Sequence, residues 1–326
     1  MTDKSTFRVD KVEVHQLGIE NIDPWGDKLR EFERQFWYPL GSNRKFRIEH
    51  PGNYTAFFES IGKATCFLAV EDETVIGVLS VAIRDSRDIS NSKDARIAYI
   101  ADIKITQERQ GSRVLGKLIS RVFKWLSEIK ITSAYSVVMD GTAKTPDLYT
   151  GRNGIPEFKC KGRVALLNLP TKESVKHYQH EMTIEFLPNT DDISVSLLPV
   201  WINRNLVPRS VVRPSRILDM SNGVQGMLED TRRTKRLYDE KDNEIMFAHL
   251  SYFYYHEPEQ MLPVIETAIG QAHALGFTDL LVSVPYSRLQ TFTDSLDSLI
   301  SQTFTATIYG TGFDTDISKL IYSSEI

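Results

Sequence analysis

Cysteine is scarce in this chain, which holds two in 326 residues, Cys66 and Cys160. Neither belongs to a Cys-x-x-Cys pair, so the sequence predicts no disulfide framework and no zinc knuckle, and it favours a reducing compartment. Apolar runs of about 18 residues, which a membrane-crossing helix needs, are also lacking. The first residues are polar and carry no apolar signal-peptide core. We therefore expect a cytoplasmic protein with no membrane partner.

Basic charge is not in excess either. Lysine and arginine number 39 against 43 aspartate and glutamate residues, and the net charge is −4. A dedicated nucleic-acid binder usually has a strongly basic domain, so we expect no nucleic-acid partner. The composition, 41% hydrophobic and 25% charged, is typical of a globular chain, and the length favours two domains.

Residues 97–139 form the most informative stretch and predict a strand, a polar turn, a long helix and a second strand. In the first strand, alternate residues from Tyr99 to Ile105 fall on one face, while Asp102 and Lys104 fall on the other. Apolar residues then recur with helical spacing over residues 114–129. The start of a helix offers unpaired backbone N–H groups and the positive end of a dipole, so the turn before it predicts an anion site.

The turn and the segment after the second strand together resemble the GNAT superfamily of acyl-CoA-dependent N-acyltransferases. That family has a Gln/Arg-x-x-Gly-x-Gly/Ala turn before its third helix, and residues 110–115 read Gln-Gly-Ser-Arg-Val-Leu here. Arg113 and Leu115 stand where the family prefers small residues. The pair Leu148-Tyr149, followed by residues 154–158, resembles the element that follows the family's fifth strand. The resemblance covers roughly residues 45 to 160 and implies a mixed α/β sheet.

The resemblance also implies a co-substrate and a set of site residues. Acetyl-CoA would place its pyrophosphate over the turn and its pantetheine arm beside the first strand, and the chemistry needs no metal. The implied cofactor contacts are Ile103, Lys104, Ile105, Gln110, Gly111, Ser112, Arg113, Val114 and Leu115. Asp102 is the candidate base, with Glu108 as second choice. Tyr149 is the candidate acid for the departing thiolate, and Leu148 is expected to fix its helix on the core.

The second half of the chain repeats the pattern of strand, helix and strand. An ungapped alignment of the two halves that places Leu115 on Met261 also places Asp102 on Ala248 and the turn on residues 256–259. These residues read His-Glu-Pro-Glu, and their two carboxylates and missing glycine make a poor binding site for pyrophosphate. We therefore predict two tandem GNAT-like domains, a catalytic one at 1–170, closed by the strand Val164–Leu169, and a degenerate one at 181–326. Ordinary βαβ similarity is the alternative.

Two further patterns are weighed and set aside. His177 and His180 have the spacing of metal ligands on a helix, but no third ligand is near, so we expect no metal. The basic cluster of residues 232–236 has acidic neighbours, which favours a solvated face.

The sequence thus predicts an N-acyltransferase that moves an acetyl or other short acyl group from acetyl-CoA to a small-molecule or peptide amine by direct attack. Two alternatives stay open, a non-catalytic acyl-CoA-binding or regulatory module and a transferase that uses aminoacyl-tRNA as donor. The acidic isoelectric point counts against the second.

Overall fold

One mixed sheet runs through both halves of the chain. The computed structural model describes residues 11–41, 44–85, 96–151, 154–173, 215–219, 225–254 and 261–326. The strands are β1 (Glu13–Leu17), β2 (Tyr38–Leu40), β3 (Arg44–Glu49), β4 (Lys63–Glu71), β5 (Thr74–Asp85), β6 (Arg96–Ile105), β7 (Ala134–Met139), β8 (Lys159–Pro170), β9 (Ser215–Asp219), β10 (Gln225–Glu229), β11 (Arg236–Asp239), β12 (Phe247–Tyr254), β13 (Asp279–Pro285) and β14 (Gln302–Thr311). The helices are α1 (Gly26–Glu33), α2 (Ala56–Glu59), α3 (Val114–Glu128), α4 (Met261–Ala274) and α5 (Leu289–Leu296). None of these helices is long and apolar enough to cross a membrane.

Eleven of the described strands form the large sheet, in the order β1-β4-β5-β6-β7-β14-β8-β13-β12-β10-β9. The β6–β7 and β12–β13 pairs are parallel, and the β14–β8 pair between them is antiparallel. The strand order is therefore nearly symmetric about β14 and β8. A separate sheet, β11-β3-β2, combines strands from both halves. This architecture confirms the predicted mixed α/β fold class.

At the centre of the sheet, a strand from the second half of the chain pairs with Val164–Leu169, the segment predicted to close the first domain. β14 lies between β7 and β8, with Ile308 opposite Val137 and Phe304 opposite Leu166. An alternating pattern marks a residue run as a strand but does not specify a partner more than a hundred residues away. The domain boundary between residues 170 and 181 stays a prediction, since residues 174–214 lie outside the described ranges.

Helices cover the two faces of the β4–β6 region. On one face, Leu118, Val122 and Leu126 of α3 are buried in a cluster that includes Phe67 and Ile100. This confirms the apolar stripe that the helical spacing predicts. On the opposite face, α1 and α2 bury a second cluster, which includes Leu29, Phe32, Phe57, Phe58 and Tyr99. The first part of β6, residues 97–100, therefore lies between two filled layers, and its side chains point alternately into one and the other.

A β-bulge interrupts β6 at Asp102. The register with β5 shifts between Ser80 and Val78, so β6 has one residue more than its partner there. Asp102 has a φ of 54°, in the left-handed region that aspartate tolerates better than most residues. As a result Lys104 is buried and Ile103 is 43% exposed, which reverses the predicted alternation of faces. A period of two cannot reveal such an inserted residue.

β12 has a bulge at the corresponding place. Tyr252 has a φ of 52°, and the pairing of β12 with β10 shifts between Gln225 and Met227. Asp102 therefore corresponds to Tyr252 and not to Ala248, so the ungapped alignment is wrong for this strand. The predicted counterpart of the turn, residues 256–259, lies outside the described ranges.

Candidate functional site

β6 and β7 separate after two residue pairs. Ala98 pairs with Ala134 and Tyr99 with Tyr135, although β6 continues to Ile105 and β7 to Met139. Beyond those pairs, the facing backbone edges of the two strands have a gap between them. Backbone N–H and C=O groups at such edges are available to an extended ligand, which can add to the sheet like a further strand.

A cavity of about 860 Å³ lies at this gap and borders both faces of the sheet. Its walls include β6 and β7, the turn before α3, and parts of β8, β12, β13 and β14. Of the predicted cofactor contacts, those that line the cavity are Ile103, Lys104, Ile105, Gln110, Gly111, Ser112 and Leu115. Arg113 is exposed at the turn, and Val114 is buried in the core beneath it. The structure thus brings most of the predicted contacts to one space.

Ser136 of β7 is a lining residue that the sequence did not reveal. Its side chain is buried, and its Oγ has no hydrogen-bond partner in the part of the chain that the structure describes. A buried hydroxyl without a partner costs about 1–3 kcal/mol, so a polar group of a ligand in the gap would be favoured here. Nothing in an alternating strand indicates which polar residue faces a gap between strands.

The turn before α3 has the geometry of an anion site. Gly111 has a φ of 76° and open space where a side chain would begin. Ser112 accepts a hydrogen bond from the Val114 N–H (3.3 Å), so the next two amides of the helix, those of residues 115 and 116, form the open end. Lys144, which the sequence analysis did not single out, has its Nζ 2.9 Å from Gln110 Oε1. Its charge adds to the positive end of the helix dipole.

A buried network of charges lies on the α1–α2 face of β6. Lys104 Nζ is 2.7 Å from Asp102 Oδ1 and 3.0 Å from Glu33 Oε1. His50 Nδ1 is 2.6 Å from the same Glu33 oxygen, and the Tyr54 hydroxyl donates to Asp102. The bulge makes this network possible, because it turns Asp102 and Lys104 toward the same face as Tyr54.

The network fixes the charge of its members. Burial opposes ionisation of Glu33, but His50 and Lys104 together outweigh it and lower the pKa of its carboxyl below the usual range. Burial also opposes the Lys104 ammonium, yet Asp102 and the other acidic neighbours raise the pKa of Lys104 well above its usual value. Both groups are therefore ionised at neutral pH.

Glu33, His50 and Asp102 are close enough together to hold a metal ion. The Lys104 ammonium, however, is bonded to two of the three and occupies the position that a cation would take. The other candidate ligands, His177 and His180, lie outside the described residues.

The two candidate bases differ in position. Asp102 borders the cavity, and its side chain is 6% exposed. Glu108 is exposed on the short 3-10 helix Gln107–Arg109 and does not line the cavity. The geometry therefore favours Asp102 for contact with a substrate, although its carboxylate is shared with Lys104.

Tyr149 ends a 3-10 helix, Pro146–Tyr149, and borders the cavity. Its ring is half-buried against the α3-side cluster, with Ile155 and Phe158 buried close by in the same cluster. Leu148 is 52% exposed, so the prediction that it anchors this helix is wrong. A helix of four residues turns only one side toward the core, and here that side carries Tyr149.

The basic cluster of residues 232–236 is not uniformly solvated. Lys235 is buried, borders the cavity and has its Nζ 4.8 Å from the centre of the Phe57 ring. Arg232 also borders the cavity and forms two hydrogen bonds to Asp230, at 3.0 and 2.9 Å. The expectation of a solvated face fails for Lys235, because its partner Phe57 lies in α2, in the other half of the chain.

No protein-family model and no curated protein sequence matches the chain significantly. Solved structures do match its fold. N-myristoyltransferase of Saccharomyces cerevisiae with bound myristoyl-CoA superposes with a TM-score of 0.60 and 10% identity, over 96% of this chain and 81% of that one. A tandem GNAT protein from the clavulanic acid biosynthesis pathway gives a TM-score of 0.55 and 9% identity, over 92% and 98%.

A third match is the glucosamine N-acetyltransferase region of a fungal multi-domain beta-N-acetylglucosaminidase. Its TM-score is 0.59 at 11% identity, over 92% of this chain and 38% of that one. The chain therefore has the fold of the GNAT-type N-acyltransferases.

Proposed function

We propose that the protein is an N-acyltransferase that moves an acyl group, with acetyl as the first candidate, from acyl-CoA to an amine. The observation that carries the proposal is the gap between β6 and β7, which leads from the open turn before α3 into a large cavity. A pyrophosphate needs the helix start, and an amide-containing arm needs free strand edges. Both lie in one continuous space here.

The donor would be held by three kinds of contact. The amides at the start of α3, with Lys144 and Arg113 nearby, suit the phosphates. The backbone of residues 103–105 suits the amides of the pantetheine arm, and a backbone N–H there can polarise the thioester carbonyl. Ser136 Oγ supplies a further polar contact in the gap. The donor itself supplies the thioester whose C–S bond breaks.

The cavity wall suits an amine acceptor. The Asp102 carboxylate lies at that wall, and a carboxylate attracts the ammonium form of an amine. Asp102, at the cavity wall, takes the proton that the amine must lose before it attacks. The C–N bond then forms as the C–S bond breaks, and the nitrogen releases its second proton to solvent. Tyr149 gives its proton to the thiolate and regains one from solvent.

The test is release of free thiol from acetyl-CoA by the full-length protein with a panel of small amines and amine-bearing peptides. Gly111→Glu places a carboxylate at the proposed phosphate seat and should abolish acetyl-CoA binding in titration calorimetry. The matched control is Gly276→Glu, since Gly276 has a similar φ of 80° and equally open space at the end of α4. Equal loss of binding in both variants, or no binding by the unmodified protein, would reject the proposal.

A further inference from the structure

A separate hydrophobic cluster lines the cavity on the side away from α3. It joins side chains of the two sheets and of both halves of the chain, and we name it the apolar arm. Its members are Leu40, Phe46, Met139, Leu166, Leu237, Ile245, Phe247, Leu281, Phe304 and Ile326. All ten border the cavity. The cluster is therefore the wall of a space and not a closed core.

The two sheets form opposite walls of this arm. Leu166, Phe247, Leu281 and Phe304 come from the central strands of the large sheet, and each is no more than 8% exposed. Residues of β2, β3 and β11 cover them from the small sheet. Apolar walls with space between them favour an apolar occupant, at about 25 cal/mol per Å² of surface removed from water.

The charged groups beside the arm are paired within the protein. Glu325 binds Arg84 in a buried pair at 2.8 Å, Arg232 binds Asp230, and His249 Nδ1 is 3.1 Å from Ser323 Oγ. Lys235 donates to the main-chain oxygen of Ile326. A ligand in the arm thus meets apolar side chains and charges that already have partners. The Asp102 carboxylate lies at the wall of the same cavity, near the gap between β6 and β7.

Direct attack requires both substrates in the cavity at once, and the cavity offers two regions. The turn, α3 and the edges of β6 and β7 suit the donor, while no residue of α3 or of the turn belongs to the apolar arm. We infer that the acceptor is a primary amine on an apolar body, with the amine at Asp102 and the apolar body in the arm. This inference rests on the proposed acyl transfer.

The experiment measures thiol release from acetyl-CoA by the full-length protein with butylamine, hexylamine, octylamine and spermidine. The alkylamines have nearly the same basicity, so rate differences report the apolar body. We expect kcat/KM to rise about fourfold for each methylene added to the alkylamine, which is the gain that corresponds to removing one methylene from water. The kcat/KM of octylamine should also exceed that of spermidine. Phe46→Ala should lower kcat/KM for octylamine more than for butylamine. Phe313→Ala, which removes a half-buried ring that does not border the cavity, should change neither.

Each other outcome has a distinct meaning. Thiol release that is flat across the alkylamines, or fastest with spermidine, overturns the inference and leaves the transferase intact. A second outcome is a higher kcat/KM with octanoyl-CoA than with acetyl-CoA that Phe46→Ala removes. That result shows that the arm holds the acyl chain, and it also overturns the inference. If acetyl-CoA binds but no amine causes release of free thiol, the proposed function fails. Calorimetric titration with octylamine and butylamine then tests whether the arm binds an apolar body. Failure of octylamine to bind more tightly than butylamine overturns the inference there.

Discussion

Tyr149 meets the cavity on the α3 side, which is the side proposed for the donor. We expect Tyr149→Phe to lower kcat by roughly 10² while the Kd for acetyl-CoA stays unchanged, because the change removes a proton donor but keeps the ring that packs on the core. Steady-state kinetics and calorimetry on the same preparations measure the two quantities. A kcat close to that of the unmodified protein would leave solvent as the donor of the thiolate's proton.

Glu33 binds both Lys104 and His50, so its replacement should weaken the whole network and lower the stability of the protein. Glu33→Gln leaves Lys104 with one carboxylate in place of two and should lower the free energy of unfolding at pH 7 by about 3 kcal/mol. The pKa of Glu33 falls from 4.5 to about 2 on folding, under the charges of His50 and Lys104 and against the effect of burial. The stabilisation is therefore complete above about pH 4.5 and is lost as the pH falls toward about 2.

Urea unfolding of both proteins between pH 6 and 2.5 measures this dependence. The difference between them should shrink as the pH falls through that window. Glu31→Gln is the control, because Glu31 is exposed on the same helix. A difference that stays constant with pH would show that Glu33 does not act through its charge.

Within strand β6, the bulge and the carboxylate of Asp102 have separable effects. Asp102→Gly keeps a residue that accepts a positive φ, so the bulge and acetyl-CoA binding should persist while turnover falls. Asp102→Val is strained at that φ and should weaken acetyl-CoA binding as well, because the backbone of residues 103–105 shifts. Calorimetry and thiol release on the two variants make the comparison. Equal acetyl-CoA affinity in both would show that the bulge does not position the donor.

Strand β6 shows which features could be predicted from the sequence and which could not. The period of apolar residues correctly predicted β6, α3 and β7, because each repeats a local pattern that burial on one face requires. It misjudged which faces Ile103 and Lys104 occupy, since one inserted residue exchanges the two faces and leaves no mark in composition. The network of Glu33, His50, Asp102 and Lys104 could not be predicted either. Its members meet only after three elements have packed.

For the molecule as a whole, the central position of β14 predicts that the two halves hold together without a covalent link. We expect that a protease site inserted within residues 174–214 and then cut leaves both pieces in one particle on native size exclusion. β14 is bonded on one side to β7 and on the other to β8, so the pieces share a continuous sheet. Elution of two separate pieces under native conditions would contradict the shared sheet.

The long-range features of the fold lay beyond sequence reasoning. The insertion of β14, the small sheet of β11, β3 and β2, and the apolar arm all join residues that are far apart in the chain. A residue such as Phe304 reads only as an apolar position in a strand, and its place in a cavity wall depends on which strands flank it. The cofactor turn was predictable because its residues are consecutive.

The place of β14 also has a consequence for synthesis. On the ribosome, β14 emerges after every other described strand, yet it completes the middle of the sheet. Until it emerges, the facing edges of β7 and β8 have open hydrogen-bonding groups and invite pairing with other nascent chains. The large sheet can therefore close only after β14 has been synthesised, and the interval before that is when the protein most needs chaperones.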